Sequence, residues 1–231
     1  MPTRTNIKTR THNTCRTPGC QRPARSNIAY LCDNCRDRMR RNGDARQTNI
    51  RRTEMRPMED RIRAIISRGH LPMIRQGLQT INEAVIRHSD ETLASWRRGK
   101  PMNRHVVLAH SEVLKVAQNV DALDSGVTLA ALYLLAERTP RRIVSDEGMA
   151  GQLVRVYRLQ QGLAIGVTWD DRKNRETRWY RPLPKDTTRL MGATLREAYS
   201  PWLVHVLAVD KKEREEKQKA SRELAAGFAP V

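Results

Sequence analysis

The sequence predicts a mainly helical α+β protein, with a small cysteine-bearing module at its amino end and one β-hairpin in the larger domain that follows. All four cysteines lie within residues 15–35. From about residue 57 onward, apolar side chains recur every three or four positions, which is typical of helices packed on a core. Near residues 163–181 they alternate instead, which is typical of strands. The 231 residues are enough to enclose a sizeable core.

Composition excludes several classes of protein. Hydrophobic residues make up 39% and charged residues 29% of the chain, close to the globular range. The longest apolar run, Val127–Ala136, is about half as long as a transmembrane helix. The first residues lack the apolar stretch of a secretory signal. We therefore expect a cytoplasmic protein with no membrane partner.

The four cysteines form two close pairs, Cys15-x4-Cys20 and Cys32-x2-Cys35. Two such pairs can surround one tetrahedral Zn²⁺ with their thiolates. Pro18 and Gly19 suit a tight turn that directs both sulfurs of the first pair to one point. A secreted disulfide-rich domain would spread its bridges over the whole fold. The cluster therefore favours one structural zinc ion over free or disulfide-bonded cysteines.

Shifts in composition and charge divide the chain into five parts. The predicted order is a flexible basic arm (1–14), a four-cysteine zinc finger (15–46), a basic linker (47–56), a mainly helical domain (57–209) and a charged tail helix with the carboxyl terminus (210–231). Within the finger, a short hairpin at residues 21–31 would have Ile28, Tyr30 and Leu31 as its apolar content. A helix is predicted from Asp33 to Asn42, ended by Gly43, because glycine readily adopts the left-handed C-cap conformation.

The larger domain begins with two predicted helices. Pro57 is expected to open the first, because proline is favoured in a first helical turn, and Gly69 to end it. Its apolar stripe consists of Ile62, Ile65 and Ile66. The second helix carries the stripe Ile74, Leu78, Ile81 and Val85. It should close at Ser89 or Asp90, before a basic loop at Trp96–Pro101.

The next segments predict a buried helix between two amphipathic helices. The segment Arg104–Asp121 places one apolar stripe on a single face: Val106, Ala109, Val113, Ala117 and Val120. Val127–Glu137 is apolar on nearly every side, which predicts a position at the centre of the domain. Ser145 is the expected N-cap of a helix that runs to about Gln160.

The last part of the chain changes from strand to helix. Leu163–Trp169 and Thr177–Arg181 are the two predicted strands, and their aromatic side chains are expected to pack in the core or across the strands. Thr187–Tyr199 returns to a helical period, and Pro201 is expected to begin a separate last helix. In its tail, opposite charges lie four residues apart, and each such pair stabilises a solvated helix by about 0.2–0.5 kcal/mol.

Three stretches of the predicted finger carry a family resemblance: Cys15–Ala24, Leu31–Arg38 and Arg41–Asp44. Together they resemble a treble-clef zinc finger of phage and mobile-element proteins, some of which are HNH or recombination-type endonucleases. In those nucleases a histidine of the finger hairpin activates water. Residues 21–31 contain no histidine, so the resemblance implies a structural zinc without the general base. The layout of the whole chain is also similar to uncharacterised proteins of proteobacterial phages and integrated elements, which implies a bacterial host cell.

Other arrangements that could carry catalysis are weak. His105 and His110 are five residues apart, whereas a helical zinc pair has a spacing of four. Asp146–Glu147 and Asp170–Asp171 are neighbouring carboxylates of the kind found in first helical turns and loops. The sequence has neither a Gly-x-x-x-x-Gly-Lys phosphate loop nor a Gly-x-Ser-x-Gly nucleophile elbow. No catalytic residue is predicted and no small-molecule substrate is inferred.

The positive charge predicts a polyanionic partner. The chain has a formal charge of +18, and residues 1–56 hold 14 basic and 4 acidic side chains. Four arginines of the predicted finger helix could contact phosphates or base edges: Arg36, Arg38, Arg40 and Arg41. A second candidate surface is the turn of the hairpin, as in the wing of a winged-helix domain, with Arg172, Lys173 and Arg175.

These features favour a zinc-stabilised nucleic-acid-binding protein that regulates transcription in a phage or mobile element. Duplex DNA is favoured over RNA as its partner, and the sequence leaves both open. One alternative is a protein-interaction factor that acts on host RNA polymerase or on a defence complex through an acidic surface of that partner. A second alternative is an HNH-like nuclease, which the missing finger histidine disfavours.

Overall fold

The computed structural model describes residues 13–160, 166–170, 175–179 and 182–227. The prediction of a mainly helical protein is confirmed, since seven α-helices dominate these residues. In chain order they are α1 (Asp33–Asn42), α2 (Arg52–Arg68), α3 (Leu71–Arg97), α4 (Arg104–Ala117), α5 (Ala122–Arg138), α6 (Asp146–Leu159) and α7 (Lys185–Gly227). A short 3₁₀ turn, Pro140–Arg142, connects α5 to α6. None of the described helices combines the length and the apolar composition that crossing a bilayer requires.

Helix α5 lies at the centre of the helical domain, as its composition predicts. It packs against α2, α3, α6 and α7. Its side chains from Val127 to Leu134 are almost all fully buried. Because α5 is apolar on nearly every side, neighbouring helices can surround it without burying polar side chains. It can therefore form the core of the bundle. The hydroxyl-bearing rings of Tyr157 on α6 and Tyr199 on α7 complete this core.

Helix α2 begins at Arg52, ahead of the expected start at Pro57. The backbone N–H of Arg51 donates a hydrogen bond to Glu54 Oε2 at 2.7 Å, which fixes the first turn. Pro57 therefore lies inside the helix, where its missing N–H removes one intrahelical hydrogen bond. The predicted isoleucine stripe is buried and the helix ends before Gly69, as expected.

Helix α3 continues to Arg97, so the predicted end at Ser89 or Asp90 is wrong. The buried face of the helix extends through Ser89 to Leu93. Ser89 is fully buried because α4 supplies a partner for its hydroxyl. A serine that finds such a partner does not need to end a helix.

Helix α7 is one continuous element, so the predicted break at Pro201 is also wrong. Pro201 lies on the exposed side of the helix, while the following Trp202 and Leu203 are buried. The carbonyl that loses its partner at a proline can then be hydrated by solvent. Burial of the flanking side chains against α4, α5 and α6 keeps the helix intact.

Two short strands, β1 (Gly166–Asp170) and β2 (Arg175–Trp179), pair antiparallel, with Thr168 opposite Thr177. The other positions of the predicted strands and the turn at residues 171–174 lie outside the described residues. The sequence predicts that Trp169 packs in the core or across the strands, but 56% of its surface is exposed.

The segment predicted to be a linker, residues 47–56, is packed against the helical domain. Gln47 is fully buried, and its side-chain amide donates to the Arg142 carbonyl at 3.2 Å. The backbone N–H of Val144 donates to Gln47 Oε1 at 3.2 Å. A few residues later, the N–H of Ile50 donates to Gln152 Oε1 at 3.0 Å. Buried hydrogen bonds therefore fix the path of the chain between the finger and α2.

Candidate metal centre and finger surface

The four predicted metal ligands converge at one point. The Sγ atoms of Cys15, Cys20, Cys32 and Cys35 all lie within 4.8 Å of one another, and none of these residues forms a disulfide. The Sγ atoms of Cys20 and Cys32 are 3.8 Å apart. Four sulfurs at about 2.3 Å from a tetrahedral ion would be about 3.8 Å from one another. The cluster could therefore hold one metal ion.

Local backbone geometry brings the two cysteine pairs together. The N–H of Cys20 donates to the Thr17 carbonyl at 3.0 Å, which closes the first turn. Gly19 has a φ of 77°, a left-handed conformation that glycine adopts without strain. Cys32 is the N-cap of α1, and its sulfur accepts a hydrogen bond from the N–H of Cys35 at 3.5 Å. The predicted bounds of this helix are confirmed, with Gly43 in the left-handed C-cap conformation.

The surroundings of the cluster suit bound thiolates. The side chain of Thr17, 3.4 Å from Cys15 Sγ, lowers the pKa of Cys15 to about 6. Burial raises the pKa of Cys35 to about 12. A divalent cation would offset this burial penalty, because its charge stabilises the deprotonated form. The few apolar groups that pack here, Ala45, Leu31 and Met39, form too small a core to hold the finger alone.

His105 and His110 form contacts between helices. His110 is buried, and its Nδ1 lies 3.2 Å from the Ser89 hydroxyl. Burial lowers the pKa of His110, and the ring of His88 packs edge-on against it. His105 Nδ1 lies 3.0 Å from the Thr187 hydroxyl. These pairs join α3 to α4 and α4 to α7.

The arginines of the finger helix all lie on the surface. Arg36 and Arg40 form ion pairs of 3.7 Å and 3.5 Å with aspartates one turn earlier. In the described part of the chain, Arg38 and Arg41 form no ion pair within 4.0 Å. Long, exposed ion pairs contribute little, at most about 1 kcal/mol, and would not prevent these guanidinium groups from contacting another anion. Helix α1 thus presents four accessible arginines.

The second candidate surface falls largely outside the described residues. Arg172 and Lys173 lie outside the described residues, whereas Arg175 begins β2 opposite Asp170. Their predicted role in nucleic-acid binding stays a prediction.

Sequence reasoning missed a contact at the end of the finger. Tyr30 and Ile28 are predicted as apolar content of the finger hairpin, but 62% of Tyr30 and 89% of Ile28 are exposed. The guanidinium of Arg16 lies 4.4 Å from the centre of the Tyr30 ring. The sequence offered one indication of this contact, an aromatic residue within a strongly basic segment. The Arg16–Tyr30 pair itself forms only because the fold brings the two segments together.

Comparisons with known proteins add no family to this description. No protein-family model, no curated protein and no solved structure matches the chain. The candidate site is a cluster of four cysteines that could hold one metal ion, at the start of an arginine-rich helix.

Proposed function

We propose that the protein is a zinc-stabilised nucleic-acid-binding protein, whose finger binds duplex DNA and which regulates transcription in a phage or mobile element. The observation that carries the proposal is the attachment of four exposed arginines to a helix whose first turn supplies two of the cysteines. A metal at this cluster would fix the orientation of the helix, and hence of its guanidinium groups.

Zinc is the metal that we propose for this donor set. Four thiolates in a closed tetrahedral arrangement are typical of structural Zn²⁺ sites and of iron–sulfur sites. All four positions around such an ion would be occupied by protein, which leaves no open position for substrate or water. The role that we propose for the metal is therefore structural.

The charge of the finger supports a phosphate-binding role. Arginine presents a planar fork of donors that matches phosphate oxygens and guanine edges. Each phosphate that is neutralised releases condensed counterions, so affinity should fall steeply as salt rises. Residues 1–56 hold 14 basic and 4 acidic side chains, so the finger and arm should supply most of this electrostatic affinity.

Titration of duplex DNA at two salt concentrations tests the proposal. The triple variant Arg36→Ala, Arg40→Ala, Arg41→Ala leaves all four cysteines in place. The slope of log affinity against log salt should become shallower by about 0.9 for each phosphate that the variant no longer neutralises. A matched control with the same change in charge replaces Arg97, Arg98 and Lys100, which are exposed at the end of α3.

The control variant should keep a slope close to that of the wild-type protein. If the finger variant binds as the wild type does at both salt concentrations, or if both variants lose equally, the finger helix is not the phosphate-binding element. A larger loss from replacing Arg172, Lys173 and Arg175 would transfer this role to the hairpin.

The end of α7 favours a second candidate function, binding to a protein such as host RNA polymerase or a defence complex. From Glu215 to Ala225 every side chain of this helix is exposed. A helical segment that none of the described residues covers is available to a partner. Removing residues 215–231 should abolish binding to such a partner and leave the affinity for DNA unchanged.

A further inference from the structure

The tip of the finger exposes two large apolar side chains that the rest of the described chain leaves mostly uncovered. We define the finger tip as Arg16 together with residues 27–30. Ile28 is 89% exposed and Tyr30 is 62% exposed, whereas Leu31 turns inward to the cysteine cluster. Burying these two side chains against the finger would have stabilised a small domain that lacks a core of its own. Both side chains are therefore available to a binding partner.

The finger tip surrounds an open crevice that is lined by Asn13, Thr14, Arg16 and residues 27–30. Its volume is about 420 Å³. Two hydrogen bonds hold its walls: the Arg16 N–H donates to the Tyr30 carbonyl at 2.9 Å, and Asn13 Nδ2 donates to the Asn27 carbonyl at 2.9 Å. Among the described residues, none of those that line the crevice is acidic.

We propose that the finger tip binds an unpaired nucleobase, which stacks on the Tyr30–Arg16 pair while Asn13 and Asn27 contact its edge. The inference rests on the proposed function and adds to it a preference for nucleic acid with exposed bases. Aromatic rings and guanidinium planes are the surfaces on which proteins stack unpaired bases. The Arg16 guanidinium already covers one face of the Tyr30 ring, at 4.4 Å from its centre, so the base would stack on the opposite face of this 62% exposed residue.

Charge and area favour a base over a protein as the occupant. The described lining of the crevice carries one positive charge, which complements a phosphate-bearing strand. Its exposed apolar surface consists mainly of Ile28 and Tyr30, whereas a stable protein interface buries about 800 Å² on each partner. Two side chains are enough for one stacked base and too few for such an interface.

Two oligonucleotides of equal length separate base contacts from phosphate contacts. One is a short oligothymidine, and the other is its abasic analogue, which has the same phosphates but no bases. The zinc-loaded full chain should bind oligothymidine more tightly than the abasic strand. Tyr30→Ser should weaken oligothymidine binding roughly 5- to 150-fold, the range expected when one base no longer stacks on an aromatic ring. It should leave abasic binding and the salt slope unchanged, and Tyr30→Phe should restore wild-type affinity.

Trp96→Ser is the matched control, since Trp96 is an exposed aromatic residue beside arginines at the far end of α3. It should not change either affinity. Unchanged zinc content in Tyr30→Ser excludes a folding defect, and Ile28→Ser provides a second variant of the tip. Equal wild-type affinity for the two strands, or equal effects of Tyr30→Ser on both, would overturn the inference while leaving the proposed function intact. Absence of any salt-dependent binding to duplex or single strand would overturn both.

Discussion

Asp210 links three helices, α2, α5 and α7, through its side-chain carboxylate. It is fully buried on α7, and its carboxylate accepts hydrogen bonds from Arg61 of α2 at 2.6 Å and from Arg138 of α5 at 2.8 Å. Arg214 lies 3.0 Å from it on the next turn of α7. Burial alone would raise the pKa of Asp210, but the hydrogen bonds from Arg61 and Arg138 lower it. The carboxylate is therefore charged, and three guanidinium groups surround it.

Replacing Asp210 with asparagine should lower the free energy of unfolding by about 3 kcal/mol, because three guanidinium groups would lose their shared anion. The matched control is Glu216→Gln, further along the same helix. Glu216 forms an exposed pair of 4.0 Å with Lys212, so its removal should cost less than about 1 kcal/mol. Chemical denaturation of both variants measures the difference, and equal effects would show that the Asp210 network contributes nothing beyond a surface pair.

Glu54 gives a prediction about pH. Hydrogen bonds from Arg142 lower the pKa of Glu54 from 4.5 to about 2. A carboxyl group whose pKa is lower in the folded state stabilises that state above pH 4.5, and this stabilisation is lost as the pH falls toward 2. Because Glu54 is partly exposed, we expect Glu54→Gln to cost about 1–2 kcal/mol at neutral pH.

The cost of Glu54→Gln should shrink as the pH is lowered from 4.5 toward 2, the window between the two pKa values. Urea titrations of variant and wild type at several pH values measure it. Asp60→Asn, on the same helix and exposed, is the control and should cost less than about 0.5 kcal/mol at neutral pH. A cost that is constant with pH would contradict the role assigned to the Arg142 contact.

Among the elements, α1 and α6 approach each other unusually closely. A side chain on Gly151 of α6 would collide with the backbone of Asn42 at the end of α1. Gly43 has a φ of 79° and lies against the backbone of Glu147, so it also has no room for a side chain. This contact of backbones, together with the buried Gln47, joins the finger to the helical domain.

Gly151→Ala should therefore lower the free energy of unfolding by about 1–3 kcal/mol, the usual cost of overpacking a tight contact. Gly77→Ala in α3 is the matched control, since an added methyl group there would touch nothing within 4 Å. It should stabilise the protein by about 0.5–1 kcal/mol, because alanine favours a helix interior. Thermal unfolding compares the two, and a neutral Gly151→Ala would mean that the finger can move away from α6 without cost.

The sequence predicted correctly those helix ends that are set by a capping residue next to them in the chain. The bounds of α1 follow from Cys32 and Gly43, and the start of α6 follows from Ser145, whose hydroxyl accepts a hydrogen bond from the N–H of Gly148 at 3.0 Å. The end of α3 and the continuity of α7 were predicted wrongly. In both cases burial against neighbouring helices outweighed a local signal, a serine in α3 and a proline in α7.

At the scale of the whole molecule, the finger with its proposed metal centre and the helical domain are in contact but have separate cores. The finger depends on four cysteines and a few apolar side chains, whereas the helical domain has a continuous core around α5. Removal of the metal should therefore unfold the finger, including α1, and leave most of the helical signal in place. The melting temperature of the remaining domain should fall, because α6 loses its contact with Asn42 at the end of α1.

Elemental analysis, circular dichroism and limited proteolysis before and after chelation measure these effects. We expect one zinc ion per chain, a small loss of helical signal and new cleavage sites within residues 13–46. Cys32→Ala should reproduce the chelated state without chelator. Purified protein free of zinc, or a finger that resists protease equally well after chelation, would contradict the proposed metal centre.

The sequence by itself determined the cysteine cluster, the finger helix and the central position of α5. Each of these features depends on residue types at a fixed spacing, which can be recognised within a short stretch of sequence. Only the tertiary structure decided that Ser89, Gln47 and Asp210 are buried, while Ile28 and Tyr30 are exposed. The physical reason is that a polar group can be buried wherever distant segments supply its hydrogen-bond partners, and an apolar group stays exposed wherever no distant segment covers it.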